Sequence, residues 1–133
     1  MPKLTSAQYQ AMQKATKAKK PRKDLEGQLQ ALLINSFRTR FPKLSRCLFA
    51  VPNGGQRDAR VAAKLKREGV TAGVSDLILL YKGKCYCLEV KIGNNDQQPS
   101  QIEFEQMCIA QHIPYYIIRT EQEFWDIVLP IIK

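Results

Sequence analysis

The sequence predicts a mixed α/β domain in which helices cover both faces of a central sheet. Short apolar runs typical of buried strands alternate with longer segments of helical periodicity, in the order α-β-α-β-β-α-β-α. The chain has 133 residues, enough for one ordinary domain, and it contains no internal repeat. Its composition, 44% hydrophobic and 25% charged, is that of a globular protein.

The first half of the chain supplies two helices and one strand. Asp24 is a suitable N-cap, and residues at helical spacing then recur over 25–37, up to the break before Pro42. The apolar run at 47–51 predicts a buried strand, and the sequence PNGG at 52–55 predicts a turn. A second, basic helix is expected over 56–68, and the glycine that follows is suited to end it.

The second half supplies the rest of the sheet. Strands at 75–81 and 84–91 flank Lys82-Gly83, a hairpin spacing, so that they should pair antiparallel. A capping-box pattern at Ser100 predicts the start of a third helix, which ends near His112. The remaining predicted elements are a loop at 93–96, a strand at 114–119 and a last helix from about 121 to 129, ahead of Pro130.

The charge distribution indicates a polyanionic partner. The chain carries 21 basic and 12 acidic residues, a net charge of +9. Residues 1–68 hold 16 basic and 4 acidic residues, whereas 69–133 hold 5 and 8. This segregation favours nucleic acid as the partner but names no chemistry. Residues 1–23 contain seven basic residues and no acidic one, and we expect a basic arm or short helix ahead of a single domain at 24–133. A solvated tail without a specific function is the alternative.

Several classes of protein are excluded by composition. No stretch approaches 18 apolar residues, and the N-terminus lacks the apolar segment of a secretory signal. The four cysteines form no CxxC pair and are expected to be reduced, mostly buried thiols. We therefore expect an intracellular protein without membrane contact. The single histidine disfavours histidine-based nuclease chemistry and a histidine-rich zinc site, and Tyr115 is expected in the core or in an interface.

The residues that carry chemistry are Asp76, Glu89 and Lys91. Antiparallel pairing across the tight turn brings Asp76 opposite roughly Glu89. Strand alternation puts Glu89 and Lys91 on one face, with Leu88 and Val90 on the other. Charges in such apolar strands are costly unless they are paired or bind a metal. Two carboxylates with main-chain carbonyls make an all-oxygen site that suits Mg²⁺ or Mn²⁺ and not zinc. A structural ion pair at a sheet edge is the alternative.

The chain also carries several separated motifs: GVSDLILL at 73–80, LEVK at 88–91, Ser100-Gln101 at the start of a helix, Glu26, and VPNGG at 51–55. Together they resemble the VRR-NUC family of the PD-(D/E)xK nuclease superfamily. The resemblance covers about residues 24–120 and implies a restriction-endonuclease-like core. Ser75 stands where the superfamily's name has proline.

The resemblance implies a role for each matching position near the two carboxylates. Asp76 and Glu89 would be the principal metal ligands, and the Val90 carbonyl would be a third. Lys91 would position the attacking water. Gln101 would support Lys91 or the scissile phosphate.

Other positions are predicted to act at the edge of the site or to meet DNA. The resemblance implies that Glu26 holds water at the metal; an ordinary exposed helix residue is the alternative. The turn after the first strand would offer backbone N–H groups to a phosphate, or would be a tight connection only. The basic helix would grip the DNA backbone, or would be a solvated outer helix. The predicted DNA-contacting residues are Asn53, Gly54, Gly55, Arg57, Arg60, Lys64, Arg67 and Ser100.

These observations predict a metal-dependent DNA endonuclease that uses no organic cofactor. Stand-alone members of the family resemble Holliday-junction resolvases, which implies selectivity for branched DNA. Two symmetric cuts need two sites, so a homodimer is expected. By analogy with such small nucleases, we expect a phage-type protein in the host cytoplasm. The alternatives are a flap or nicking endonuclease, a restriction-type enzyme, a non-catalytic nucleic-acid-binding module on this fold, and an RNA-binding α/β domain.

Overall fold

A computed structural model describes residues 5–8, 22–52 and 58–133 of the chain. The predicted mixed α/β fold is confirmed. Its elements are helix α1 (Arg22–Arg40), a 3-10 helix (Pro42–Cys47), strand β1 (Leu48–Ala50), helix α2 (Ala59–Arg67), strands β2 (Leu77–Tyr81) and β3 (Lys84–Val90), helix α3 (Pro99–Ala110), strand β4 (Tyr115–Ile118) and helix α4 (Glu121–Ile131). Apart from residues 5–8, the predicted basic arm lies outside the described residues.

The four strands form one mixed sheet in the order β1-β2-β3-β4. Strand β2 pairs antiparallel with both β1 and β3, whereas β4 pairs parallel with β3. The predicted hairpin is confirmed, and Lys82 and Gly83 both have positive φ angles, 47° and 79°. Two such residues are the requirement of the tight turn whose twist matches a hairpin. Helix α3 makes the crossover that a parallel β3–β4 pair needs.

Helices pack on both faces of this sheet. On one face, α1 and α4 bury the main hydrophobic core against alternate strand residues; its fully buried members include Leu33, Phe37, Leu77, Leu79, Leu88, Phe124 and Val128. On the other face, α3 lies over β3 and β4. There the Cys108 and Cys87 sulfurs are 3.9 Å apart, and the rings of Phe104 and Tyr115 are 6.2 Å apart. Glu89 and Lys91 lie on this second face, beneath the start of α3.

Two helix starts differ from the prediction. Helix α1 begins at Arg22, so Asp24 lies in its first turn and is not the N-cap; a carboxylate there still favours the positive end of the helix dipole. Helix α3 begins at Pro99, with Gln98 and not Ser100 at the N-cap. Proline suits the first position of a helix because its missing N–H would have no partner there. The 3-10 helix was not predicted, and it too has proline at its start.

The helix ends also differ in part. Helix α4 continues through Pro130 to Ile131, since a proline so near the end of a helix removes only one hydrogen bond. Helix α3 ends at Ala110, and His112 takes a left-handed conformation with φ 58°. Gly69, with φ 98°, follows α2 as predicted. No helix among the residues described is long and apolar enough to cross a membrane.

Candidate active site

The two predicted carboxylates meet at one end of the β2–β3 hairpin. Leu77 pairs with Leu88, so the next position along the hairpin sets Asp76 opposite Glu89, as predicted. On the β1 side, the Asp76 carbonyl accepts a hydrogen bond of 2.8 Å from the N–H of Val51. On the β3 side, the Asp76 Oδ2 accepts a hydrogen bond of 2.8 Å from the N–H of Val90. This bond holds the Asp76 carboxylate against the end of β3, beside Glu89.

Glu89 and Lys91 are charged residues in a buried place, with 1% and 5% of their surface exposed. Their neighbours Leu88 and Val90 belong to the core on the opposite face, which confirms the predicted alternation. Burial and the adjacent Asp76 carboxylate raise the pKa of Glu89 to about 9, against the opposing effects of Lys91 and Tyr115. In the absence of a further cation, Glu89 therefore holds a proton at neutral pH.

Gln101 joins Glu89, near the end of β3, to Lys91, the first residue after the strand. Its Nε2 donates to Glu89 Oε1 at 3.1 Å, and its Oε1 accepts from Lys91 Nζ at 2.9 Å. The same Oε1 accepts the backbone N–H of Gln98 at 2.7 Å, which fixes the side chain to the first turn of α3. One amide thus sets the positions of the carboxylate and the ammonium relative to each other. The contact with Lys91 agrees with one of the two roles predicted for Gln101.

A glycine sets the distance between α3 and the segment that leads through Asp76 into β2. Gly73 is buried with φ 83°, and a Cβ there would overlap the carbonyl group of Ser100. Only glycine allows both this conformation and this approach. The close contact brings the first turn of α3, and with it Gln101, over the end of the hairpin.

The loop between β3 and α3 is tied down at three points. Asn95 Nδ2 donates to Glu26 Oε1 at 3.2 Å, which joins the loop to the start of α1. An Arg119 guanidinium nitrogen donates to the Gly93 carbonyl. Gln97 Nε2 donates to the Tyr115 hydroxyl at 3.1 Å. Glu26 therefore contacts the loop that follows Lys91, and its role toward water stays a prediction.

The Tyr115 hydroxyl in turn donates to Glu89 Oε2 at 3.4 Å. Tyr115 was expected in the core or in an interface, and its contact with the site was missed. The β3–β4 register contains the missing signal, because it pairs Tyr115 with Cys87, two residues before Glu89 on the same face. That register depends on a parallel pairing across a helix, which local sequence does not specify.

The donor set suits a hard divalent cation with most of its shell left to water. Asp76 and Glu89 offer carboxylate oxygens, and no group of three or more His, Cys, Asp or Glu side chains that could hold a metal exists in the described part of the chain. Mg²⁺ is commonly held by one or two carboxylates and several waters. Burial raises the pKa values of Cys85, Cys87 and Cys108, so these thiols stay protonated and do not favour zinc.

The predicted DNA-contacting residues divide into two groups. Arg60, Lys64 and Arg67 are exposed on α2, with helical spacing on one face. Ser100 is half-buried in the first turn of α3. The other predicted residues, Asn53, Gly54, Gly55 and Arg57, lie outside the described residues. DNA contact by any of them stays a prediction.

Comparison with known proteins adds evidence on the fold. A search of solved structures finds a VRR_NUC domain protein with a TM-score of 0.62 and 24% sequence identity. The match covers 79% of this chain and 85% of that chain. No protein-family model and no curated protein matches the sequence. The chain therefore shares its fold with a VRR_NUC domain protein, in agreement with the motifs that the sequence carries.

Proposed function

We propose that the chain is a metal-dependent endonuclease of the VRR-NUC type, with a PD-(D/E)xK active site that hydrolyses phosphodiester bonds in DNA. The observation that carries the proposal is the meeting of Asp76, Glu89 and Lys91 at one end of the hairpin, with Gln101 joining the last two. The shared fold with a VRR_NUC domain protein supports it independently.

Asp76 and Glu89, with the Val90 carbonyl, are the groups that would hold Mg²⁺ or Mn²⁺. When bound, such a cation polarises a phosphate and stabilises the charge that develops on it. The proposed role of Lys91 is to orient the attacking water. Its ammonium donates to Gln101 Oε1 at 2.9 Å, and Gln101 thereby holds it beside Glu89. The proposed role of Gln101 is to keep that ammonium and the carboxylate in a fixed relation before substrate arrives.

The substrate class follows from charge and from size. The net charge of +9, with 16 of the 21 basic residues in the first 68, favours a polyanion. Exposed Arg60, Lys64 and Arg67 on α2 supply cations of the kind that contact phosphates. A chain this small has little surface with which to read base sequence, so selectivity for DNA shape is the more suitable mode. We therefore place four-way junctions first among the substrates.

The experiment is a cleavage assay in Mg²⁺ and in Mn²⁺ on labelled four-way junction, 5′-flap, nicked and linear duplex DNA. Wild-type protein is compared with Asp76→Asn and Lys91→Ala. We expect paired symmetric cuts in the junction, reduced at least about a hundredfold in both variants, as for the loss of one charge-stabilising or proton-transferring group. Cleavage of flaps or linear duplex instead would support the proposed phosphodiester hydrolysis and contradict selectivity for four-way junctions.

Two further results would decide against the proposal. If no DNA is cut while junction binding remains tight, the protein is a binding module on a nuclease fold. A preference for RNA over DNA at equal salt would assign it to RNA-binding proteins. The resolvase also requires two sites related by symmetry, so light scattering at micromolar concentration should give the mass of a dimer. A monomer there would contradict junction resolution by this chain alone.

A further inference from the structure

The Glu89 carboxylate is held at both of its oxygens. Gln101 donates to Oε1 at 3.1 Å, and Tyr115 donates to Oε2 at 3.4 Å. A carboxylate that accepts one bond at each oxygen cannot rotate about its last bond without losing both of them. Its remaining lone pairs therefore keep one direction. The motif resemblance covers Gln101 but attaches no role to Tyr115.

The hydrogen bond between Tyr115 and Glu89 has a fixed donor because the Tyr115 hydroxyl has a second partner, Gln97. A phenol has one hydrogen to donate, and Gln97 Nε2 supplies a second hydrogen bond to the same oxygen at 3.1 Å. The phenol that accepts from Gln97 is free to donate its own hydrogen to Glu89. Successive hydrogen bonds of this kind also strengthen one another. The two hydrogen bonds therefore have the same direction: Gln97 donates to Tyr115, and Tyr115 donates to Glu89.

The ring of Tyr115 is held independently of its hydroxyl. It lies in β4 and packs against Phe104 of α3, with the two ring centroids 6.2 Å apart. Replacement by phenylalanine would keep this packing and remove only the hydroxyl. Tyr115→Phe therefore tests the hydroxyl without removing the packing of the ring.

We infer that Tyr115 and Gln97 are positioning residues, which fix the orientation of the Glu89 carboxylate toward a bound divalent cation. The inference rests on the proposed function, because it takes Asp76 and Glu89 as the cation ligands. Groups that orient a metal ligand commonly change metal affinity about 10- to 100-fold when they are removed. Gln97 also connects the loop after β3 to this carboxylate, so that the loop and the ligand are set together.

The test measures Mn²⁺ binding to the DNA-free protein by the electron paramagnetic resonance signal of free Mn²⁺. We expect Tyr115→Phe to weaken Mn²⁺ binding about 10- to 100-fold, and Gln97→Leu to weaken it less. In the Tyr115→Phe background, Gln97→Leu should have no further effect, because Gln97 acts through the phenol. A merely structural role for either residue would lower the temperature of unfolding and leave Mn²⁺ affinity unchanged.

Tyr81→Phe is the matched control. This variant also removes a tyrosine hydroxyl that donates a hydrogen bond of 3.4 Å, in this case to the Ile132 carbonyl. Tyr81 lies next to the hairpin turn, at the end of the hairpin opposite Asp76. Mn²⁺ affinity should be unchanged in this variant. Thermal unfolding of all variants checks that they are folded. If Tyr115→Phe does not fold, Gln97→Leu alone against wild type takes its place.

Different experimental results would contradict the inference and the proposed function. If Asp76→Asn abolishes Mn²⁺ binding while Tyr115→Phe equals Tyr81→Phe, the positioning role is wrong and the metal site stands. Additive losses of Mn²⁺ affinity from Tyr115→Phe and Gln97→Leu would also contradict the inference that Gln97 acts through Tyr115. If wild type and Asp76→Asn bind Mn²⁺ equally weakly, the proposed metal site itself is wrong, and the inference is rejected with it.

Discussion

At the end of β3 the two faces of the chain are equally buried, but their burial has opposite effects on stability. Leu88 and Val90 are 0% and 1% exposed, and Glu89 and Lys91 are 1% and 5% exposed. On the first face burial removes apolar surface from water and stabilises the fold. On the second face the same degree of burial desolvates two ionisable groups and destabilises it. Burial alone therefore does not identify a core residue, and the chemistry of what is buried separates core from site.

The largest effect that would test this contrast is expected on the apolar face. Leu88→Ala removes a fully buried side chain from the core between α1, α4 and the sheet. We expect a loss of about 2–5 kcal/mol in the free energy of unfolding, measured by urea denaturation. Cleavage per folded molecule should change little. Leu80→Ala, at a position 46% exposed, is the control and should cost much less.

The polar face should give the converse result. Glu89→Gln keeps the shape of the side chain and its contact region but removes a proposed metal ligand. We expect metal-dependent cleavage to fall at least about a hundredfold, equivalent to about 2.7 kcal/mol. The free energy of unfolding at pH 8 should not fall, because the amide carries no charge to desolvate. Glu103→Gln on the exposed side of α3 is the matched control. If Glu89→Gln and Leu88→Ala lose equal stability, burial stabilises the fold on both faces and the proposed difference between them is wrong.

A close backbone contact sets the position of the first turn of α3 over the polar face. Gly73→Ala would drive a methyl group into the Ser100 carbonyl, and overpacking of this kind costs about 1–3 kcal/mol. Because the displaced turn carries Gln101, cleavage should fall more than the folded fraction does. Gly69→Ala is the matched control, since Gly69 has φ 98° but nothing within 4 Å of its added Cβ. If both variants behave alike, backbone strain explains the loss and the close approach does not.

The remaining prediction concerns the proton on Glu89, and its effect on stability is expressed per pH unit. Its pKa is raised from 4.5 to about 9 in the folded protein, so the folded state binds more protons than the unfolded state between those values. Stability of the metal-free protein is therefore highest at the acidic end of this window and falls as pH rises, by up to about 1.4 kcal/mol per pH unit. Urea denaturation in EDTA at pH 5.5, 7.0 and 8.5 measures this slope.

Two comparisons assign that slope to Glu89. In Glu89→Gln the slope should flatten, because the titrating group is gone. Added Mn²⁺ should also reduce it in the wild type, since a cation favours the ionised carboxylate. A slope that is equal in wild type and Glu89→Gln would mean that other groups cause it.

The parts of the structure that sequence predicts well are those with a local cause. The hairpin follows from Lys82-Gly83 and from two apolar runs of matching length, and it fixes Asp76 opposite Glu89. Strand alternation then assigns Glu89 and Lys91 to one face. Each step needs only neighbouring residues, so no knowledge of the whole fold is required.

The parts that were missed depend on packing between distant segments. Tyr115 reaches Glu89 only because β4 pairs parallel to β3 across α3. Gly73 matters only because Ser100, 27 positions along the sequence, lies against its Cα. Helix starts at Arg22 and Pro99 were missed for a more local reason, because several residues near each start are compatible with capping.

The hairpin turn offers a practical route to attach a probe. Lys82 and Gly83 are exposed and lie at the end of the sheet opposite Asp76, about 17 Å away along five paired residues. Loop tips of this kind tolerate insertion of foreign sequence better than any strand or helix interior. A short peptide tag or a single labelled residue inserted between these two positions would report on assembly and DNA encounter by fluorescence. It would do so without altering a residue of the site.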